Sequence, residues 1–335
     1  MKIASNIKLS VVAPFYNEAE SITHFLSQLK STVSNLPRLA KESNAIDPLI
    51  QEEFFRDFEC EIILVDDGST DGSLDEIISF GWNAVSVLSL NRNYGHQSAL
   101  LEGIKHSRGF YVVTMDSDGQ HPANYLNKML SLALDGKFEV VNMIRSSSKS
   151  IGIWKRLTSR LFYSLAKSIV GVRIVPGQAD FRLISHRVVL ELRNLSEPTL
   201  LRTFLPTLGF KSANIPYVEE PRISGEPKFS TKKMFGLAIG FFLNATSVPL
   251  KICAIYLLIT SAISAVWLAW VVYAFFTVGT ISGWASVMTA VLFMNFSFSI
   301  TSSWQMYYIS KLHDSGRLKN QVIVNDFIKL KRESG

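Results

Sequence analysis

Several features that define other protein classes are missing from this sequence. Its 335 residues include only two cysteines, Cys60 and Cys253, which are too few for a disulfide framework or a cysteine-based metal site. The Gly-x-Gly-x-x-Gly pattern of dinucleotide-binding proteins and the P-loop pattern are also absent. No nucleic-acid-binding motif accompanies the basic residues, so we expect no nucleic-acid partner.

Charge is missing from one long stretch. Residues 252–310, 59 in all, contain no Asp, Glu, Lys, Arg or His. Because one membrane span needs roughly 20 apolar residues, this stretch has room for two. We expect two transmembrane helices, at 252–275 and 285–309, joined by the uncharged connection 277–283. The pattern predicts an integral membrane protein rather than a purely soluble enzyme.

The net charge of +6 is unevenly distributed. Residues 1–150 carry 13 basic and 19 acidic side chains, residues 151–251 carry 15 and 6, and residues 311–335 carry 6 and 3. The basic excess therefore flanks the uncharged stretch, where Lys and Arg favour contact with anionic lipid headgroups. By the positive-inside rule, both ends of the hairpin face the cytoplasm, at the inner or plasma membrane.

The N-terminal residues lack the pattern of a secretory signal, so we expect the first domain to stay in the cytoplasm. The patterns divide the chain into four regions: a cytoplasmic domain at 1–230, a juxtamembrane helix at 231–251, two transmembrane helices within 252–310 and a basic cytoplasmic tail at 311–335. Residues 151–170 form a candidate interfacial helix, because apolar and basic side chains fall on opposite faces. An ordinary surface helix packed on the sheet fits the same pattern.

Strands and helices alternate in the first region. Apolar runs predict strands and the segments between them predict helices: strands at 8–14, 60–66, 84–90 and 110–116, helices at 18–34 and 97–107, and an insertion with two prolines at 36–58. This alternation predicts an α/β fold with a Rossmann-like, mostly parallel sheet. Ligands bind such sheets beyond the carboxyl ends of the strands.

Asp116 and Asp118 directly follow the strand at 110–116. Two carboxylates at this spacing can reach one divalent cation, and Mg²⁺ takes oxygen ligands that it shares with substrate phosphates. Gln120 offers a third oxygen, whereas we expect His121 to be structural. A surface Asp-x-Asp turn that binds no metal is the alternative.

The loops after the first two strands offer groups suited to a nucleoside. Pro14–Glu18 contains an aromatic ring for a base and polar groups for a ribose. Asp66 and Asp67 close the second strand, where a carboxylate can accept a hydrogen bond from a base N–H. The alternative is a turn that opens a helix, with Asp71 as its N-terminal cap.

Taken in order, these motifs resemble family 2 glycosyltransferases with a GT-A fold. The matching segments are Val11–Glu18, Val65–Asp71, Asn93–Gly95 and Asp116–Pro122. Further segments and the two-span tail resemble the polyisoprenyl-phosphate glycosyltransferases, the branch of dolichyl-phosphate mannose synthases and GtrB-like proteins; these segments are Ala179–Leu183, Gly209–Lys211 and Arg222–Phe229. The chain departs from that branch at Pro227, where Ser commonly precedes the lysine.

The resemblance implies a role for each matching residue. It implies that the nucleotide sugar is bound by Pro14, Tyr16, Asn17, Glu18, Asp66, Asp67 and Asp116, and that a divalent Mg²⁺ or Mn²⁺ is bound by Asp116, Asp118 and Gln120. The residues implied to bind the acceptor or the diphosphate are Arg182, Arg202, Arg222 and Lys228. The implied catalytic residues are Asp118, Asp180 and Arg182. Asp180 is expected to orient the acceptor or to balance the arginines. A structural ion pair is the alternative for each arginine.

The reaction that the resemblance implies is inverting transfer of a sugar from a UDP- or GDP-sugar to undecaprenyl or dolichyl phosphate at the cytoplasmic membrane face. The product is a lipid-linked sugar for glycan or cell-envelope modification, and a homo-oligomer, tetrameric by analogy, is a further expectation. Two alternatives stay open. One is a processive polysaccharide synthase, which usually has more spans and a Gln-x-x-Arg-Trp motif, and the other is a non-catalytic membrane adaptor with a degenerate transferase domain.

Overall fold

The computed structural model describes most of the region before residue 220 and two segments near the C-terminus. The described ranges are 7–42, 47–136, 138–146, 177–195, 201–220, 283–315 and 322–330, with scattered positions between 255 and 277. The candidate helix at 151–170, the predicted juxtamembrane helix at 231–251, Arg222 and Lys228 lie outside the described residues. The chain forms two compact units: one comprises 1–167, 171–227 and 321–335, and the other comprises 168–170 and 228–320.

Alternating strands and helices make up the first unit. Its strands are β1 (Ile7–Phe15), β2 (Glu59–Asp66), β3 (Val85–Leu90), β4 (Tyr111–Thr114), β5 (Val140–Arg145), β6 (Gln178–Ser185), β7 (Ser212–Tyr217) and β8 (Val324–Lys329). Its helices are α1 (Ile22–Glu42), α2 (Pro48–Phe55), α3 (Ser73–Phe80), α4 (His96–His106), α5 (Tyr125–Leu134), α6 (His186–Arg193) and α7 (Leu201–Phe204), with a 3₁₀ turn at Leu205–Leu208.

Eight strands form one sheet in the order β7-β5-β6-β4-β1-β2-β3-β8. β1 pairs in parallel with β2 and β4, and β2 pairs in parallel with β3. β6 runs antiparallel to β4 and β5, whereas β7 is parallel to β5. The strands β1 to β5 and β7 therefore point the same way, and their carboxyl ends share one edge. The predicted α/β fold with a mostly parallel sheet is confirmed.

Helices cover both faces of the sheet, and each face has its own hydrophobic cluster. In β2, Ile62 and Leu64 pack with α1 and α5, whereas Ile63 and Val65 pack with α4 and α6 on the other face. Successive side chains of a strand point to opposite faces. Burial on both faces explains why these strands appear in the sequence as continuous apolar runs.

Residues 36–58, which the sequence suggested to be an insertion, belong largely to regular helices. α1 continues to Glu42 with Pro37 inside it, and α2 begins at Pro48. Phe54 of α2 is buried, with its ring 5.9 Å from that of Tyr111. Neither proline of this segment prevents helix formation. Pro48 in fact occupies the first turn of a helix, where no backbone N–H donor is required.

The strand β8 comes from the segment predicted only as a basic tail. It pairs antiparallel with β3 at one end of the sheet. Val322 and Val324 pack against the cluster that contains α4, whereas Ile328 and Leu330 pack against the other cluster. A strand with apolar side chains on both faces is an integral part of the fold.

The second unit contains α8 (Trp284–Ser315), which includes the second predicted span. Its described surface carries large exposed apolar side chains, among them Phe293, Phe296 and Phe298. Within the described ranges, no helix combines the length and the mean hydropathy that crossing a membrane requires. The two-span hairpin stays a prediction.

Candidate active site

The predicted site residues that the structure describes meet at the carboxyl edge of the sheet. The loops after β1, β2 and β4 bring Asn17, Asp67 and Asp116 to this edge. Because β6 runs the opposite way, its first residues, including Asp180, arrive at the same edge. The topology therefore assembles motifs that are far apart in the sequence.

Hydrogen bonds join the loop after β1 to the loop after β2. The N–H of Asn17 donates to Ser69 Oγ at 3.1 Å, and the N–H of Thr70 donates to Asn17 Oδ1 at 2.8 Å. The N–H of Glu18 donates to Ser73 Oγ at 2.9 Å. Asn17 has a φ of +54°, a left-handed conformation that Asn adopts more readily than most residues. Asn17 thus connects the two loops through hydrogen bonds.

Tyr16 presents an aromatic ring at this edge, with 37% of the residue exposed. Pro14 precedes it, and the Pro14 carbonyl accepts a hydrogen bond from Ser117 Oγ at 3.0 Å. The Glu18 carboxylate accepts one from Ser21 Oγ at 2.7 Å. An exposed ring on a braced loop suits stacking against a planar base.

Asp66 and Asp67 are buried, and backbone N–H groups donate to both carboxylates. Asp66 Oδ1 accepts from the N–H of Ser69 at 2.7 Å. Asp67 accepts from the N–H of Tyr94 at 2.7 Å and from that of Gly95 at 2.9 Å. Burial raises the pKa of Asp67, although these two hydrogen bonds act in the opposite direction. Asp67 fixes the loop between β3 and α4, and its contact with a nucleoside stays a prediction.

Gly68 allows a close approach between the loop after β2 and the loop after β3. Its φ is +75°, and a Cβ there would lie 2.6 Å from the backbone carbonyl carbon of Arg92. Glycine is the residue that adopts this conformation without steric cost. The loop after β2 can therefore lie directly against the loop after β3.

Asp116 lies between two imidazoles. His121 is buried; its Nδ1 accepts from the N–H of Asp116 at 2.8 Å, and its Nε2 lies 3.5 Å from Asp116 Oδ2. The ring of His121 stacks on that of Phe181 at a centroid distance of 5.0 Å. His96, about half exposed, places its Nε2 3.3 Å from Asp116 Oδ1. These contacts agree with the structural role expected for His121.

The predicted metal ligands offer oxygen atoms. Asp118 Oδ1 accepts from the N–H of Gln120 at 3.1 Å, and Asp116 Oδ1 has no well-aligned hydrogen bond among the described residues. In the same ranges, no three His, Cys, Asp or Glu side chains converge as a metal site. Two carboxylates and an amide oxygen are ligands of the type that Mg²⁺ or Mn²⁺ takes in proteins.

Asp180 is the centre of a polar cluster. Its Oδ1 accepts from Arg182 Nη2 at 2.6 Å, and its Oδ2 accepts from Gln97 Nε2 at 2.7 Å and from Arg202 Nη2 at 3.3 Å. Burial alone would raise the pKa of Asp180, but the two guanidinium groups and His96 hold it below its usual range. The Asp180 carboxylate is therefore ionised at neutral pH.

Arg182 and Arg202 differ in exposure. Arg182 is wholly buried, and its Nη2 also donates to the carbonyl of Ala179 at 3.0 Å. Burial lowers the pKa of Arg182, and the charge of Asp180 raises it in return. Arg202 exposes 43% of its side chain. In this structure Arg182 supports Asp180, whereas Arg202 is accessible. The phosphate contact implied for Arg182 stays a prediction.

A further guanidinium lies at the end of β5. Arg145 Nε lies 2.7 Å from Glu219 Oε1 and donates to the Tyr217 hydroxyl at 3.4 Å. Burial raises the pKa of Tyr217 to about 12, so its hydroxyl stays protonated. Arg145 exposes 46% of its side chain and acts electrostatically on Asp116. It adds an accessible cation to the same edge.

Three residues of this edge are not among those predicted from the sequence: His96, Gln97 and Arg145. The two at the start of α4 directly follow the motif Asn93–Gly95, and that adjacency was the available signal. Arg145 ends an apolar strand without any motif, so only the sheet topology reveals its position.

Comparisons with known proteins show which sequences and structures this chain is similar to. Residues 10–193 match the model of glycosyl transferase family 2. The glycosyltransferase YkoT of Bacillus subtilis (strain 168) is 30% identical over 291 residues, covering 85% of this chain and 82% of that protein. The prophage bactoprenol glucosyl transferase homolog of Escherichia coli (strain K12) is 27% identical, covering 86% and 89%. A solved mannosyl-3-phosphoglycerate synthase from Rubrobacter xylanophilus is 15% identical with a TM-score of 0.47, covering 73% and 74%.

Proposed function

Since the chain belongs to glycosyl transferase family 2, and is therefore a glycosyltransferase, we propose that it transfers a sugar from a nucleotide sugar to a polyprenyl phosphate. The observation that carries this proposal is the extent of the similarity. The Escherichia coli homolog matches over 292 residues, far more than the family match at 10–193. The name of that homolog specifies a polyprenol, which supports a lipid acceptor here.

The donor half of the site would be the edge formed by β1, β2 and β4. Tyr16 would stack on the base, and the braced loop at Asn17 would hold that ring in place. Asp116, Asp118 and Gln120 would bind Mg²⁺ or Mn²⁺, which supplies positive charge to the leaving diphosphate. This half would accept a UDP- or GDP-sugar.

The acceptor half would be the cluster around Asp180. Arg202 is the accessible cation of this cluster, Arg145 adds another at the end of β5, and a guanidinium can bind two phosphate oxygens at once. Arg222 and Lys228 are proposed to add phosphate contacts. The acceptor phosphate needs no strong base, because its second pKa is about 6 and it is largely ionised near pH 7.

Asp180 would orient the acceptor side rather than remove a proton. Its pKa is held low by the neighbouring guanidinium groups, so it is a weak base at neutral pH. Alignment of the nucleophile and stabilisation of the leaving group are then the remaining catalytic tasks. We infer in-line attack of the lipid phosphate on the anomeric carbon, with inversion.

Attachment to the membrane through residues 252–310 is part of the proposal. β7 precedes this stretch and β8 follows it, yet both belong to one sheet. A segment that leaves a domain and returns to it crosses a bilayer an even number of times. This topology supports a hairpin whose two ends lie on the same side of the membrane, and the exposed apolar side chains of α8 support contact with lipid. The flanking basic residues favour the cytoplasm as that side.

The proposal is tested by a screen of donors and acceptors with the detergent-purified protein. UDP- and GDP-sugars, beginning with UDP-glucose, are combined with undecaprenyl or dolichyl phosphate in Mg²⁺ or Mn²⁺. We expect nucleoside diphosphate to be released only when lipid phosphate is present. No release with any pair would contradict the proposal and favour the non-catalytic adaptor.

The variant Asp118→Ala is the control for the metal site. It should stay folded and in the membrane but lose turnover, because a carboxylate ligand is gone. Turnover near the wild-type rate would contradict the role of Asp118 as a ligand.

A further inference from the structure

His96 stands where the two halves of the site meet. It is the first residue of α4, and the preceding Gly95, with a φ of +91°, is tied through its N–H to Asp67. His96 Nε2 lies 3.3 Å from Asp116 Oδ1 and 3.9 Å from Asp180 Oδ2. The imidazole therefore lies between the donor-side carboxylate and the acceptor-side carboxylate.

The two carboxylates depend on His96 to different degrees. Asp180 accepts hydrogen bonds from three other side chains. Asp116 Oδ1 has no well-aligned hydrogen bond in the part of the chain that the structure describes, and its other oxygen lies 3.5 Å from His121 Nε2. Carboxylate oxygens accept hydrogen bonds, so an N–H on His96 Nε2 would be the donor toward Asp116 Oδ1, the nearer of the two oxygens. Loss of the His96 imidazole should therefore change the orientation of the Asp116 carboxylate more than that of the Asp180 carboxylate.

We propose that His96 is a positioning residue: it holds the Asp116 carboxylate in the orientation that the donor requires and couples it to Asp180. His96 acts through these carboxylates and not on the reacting atoms. The kinetic part of its test rests on the proposed function, whereas the structural part does not.

The kinetic test compares substitutions at the two ends of α4. His96→Ala should lower kcat by about 10- to 100-fold, because misplacing a site group by about 1 Å costs about 100-fold. His96→Gln restores an N–H at similar reach and should recover most of the turnover. His106→Ala is the matched control, because His106 ends the same helix and contacts Glu102 instead.

The structural test uses the protein without metal or substrate. Crystal structures of the wild type and His96→Ala should differ in the Asp116 carboxylate, which loses its neighbour and rotates. Asp180 should keep its position, since its three other hydrogen bonds remain. An Asp116 carboxylate that does not move overturns the inference, whatever the wild type catalyses.

The outcomes separate this inference from the proposed function. A wild-type kcat in His96→Ala, or an equal loss in His106→Ala, overturns the positioning role. A large loss in His96→Ala with recovery in His96→Gln supports it. Absence of transfer by the wild type contradicts the proposed function alone, and the two metal-free structures then decide the role of His96.

Discussion

At the scale of single residues, a buried ion pair between Asp180 and Arg182 lies on the proposed acceptor side of the site. Arg182 has no solvent exposure and Asp180 is 8% exposed, with their charged atoms 2.6 Å apart. When one member of a buried pair is removed, the other is left as an uncompensated charge, at a cost of about 3–5 kcal/mol. Loss of either residue alone therefore destabilises the fold.

The variant Asp180→Asn should lower the free energy of unfolding by about 3–5 kcal/mol at pH 7, because Arg182 loses its counter-charge. The double variant Asp180→Asn/Arg182→Met should be more stable than Asp180→Asn, since the buried charge is gone. Denaturant unfolding followed by circular dichroism measures both. A loss below about 1 kcal/mol, or no recovery in the double variant, would contradict the pairing.

The same pair sets a pH dependence. The neighbouring cations hold the pKa of Asp180 below its usual value of about 4. A lowered carboxyl pKa stabilises the fold above the unfolded-state value, and this contribution is lost as the pH falls through the folded-state value. The stability difference between the wild type and Asp180→Asn should therefore be constant at neutral pH and shrink only below about pH 4.

The residues of the site were predictable where a motif marks a strand end. Asp116 and Asp118 follow an apolar run, and that position alone places them at the ligand edge. The burial of Arg182 was not predictable, because a motif gives a residue type but not its depth in the sheet. The motif Asn93–Gly95 directly precedes His96, but the contacts of His96 with Asp116 and Asp180 arise only in the folded sheet.

At the scale of elements, β8 supports the loop that leads into α4. The N–H of Asn91 donates to the carbonyl of Ile323 at 3.2 Å, and the N–H of Ile323 donates to the Tyr94 hydroxyl at 3.4 Å. That hydroxyl donates to Asn91 Oδ1 at 2.8 Å, and the backbone N–H of Tyr94 is held by Asp67. The C-terminal strand thus reaches the neighbourhood of the active site.

The variant Val324→Asp should loosen this support, because Val324 packs against the cluster that contains α4 and burial of an unpaired polar group costs about 1–3 kcal/mol. Hydrogen exchange of the amides at 91–95 should accelerate and turnover should fall. Asn325→Asp adds the same charge at an exposed neighbour and should leave both unchanged. Equal exchange in the two variants would show that β8 does not stabilise the loop.

The long central strands were predictable because they are buried on both faces and appear as apolar runs. β8 was not, since its six residues lie in a basic segment and its partner β3 is far away in the sequence. α2 was missed because a proline that opens a helix looks like a proline that ends one. Short elements that depend on tertiary pairing leave a weak local signal.

At the scale of the whole molecule, an acidic catalytic half precedes a basic and then an uncharged region. The GT-A type of α/β fold was predictable from the order of the motifs, and family membership and the mostly parallel sheet agree with it. The membrane arrangement is a proposal that rests on the charge pattern and on the return of the chain to the sheet at β8.

Cysteine accessibility in whole cells tests that arrangement. With Cys60 and Cys253 replaced by serine, a cysteine at Ser282 should react with a membrane-impermeant maleimide from outside, because it lies in the predicted hairpin connection. A cysteine at Asn325, exposed on β8, should react only after the membrane is permeabilised. Labelling of both positions from the same side would contradict the two-span hairpin.

The central claim, sugar transfer to a lipid phosphate, is tested most directly by mass spectrometry of the lipid product. Purified protein is incubated with UDP-glucose, undecaprenyl phosphate and Mn²⁺, and the lipid is extracted. We predict a new species in which one hexose is linked to the phosphate, in an amount equal to the nucleoside diphosphate released. Nucleoside diphosphate accompanied by free sugar, with unchanged lipid phosphate, would contradict the claim.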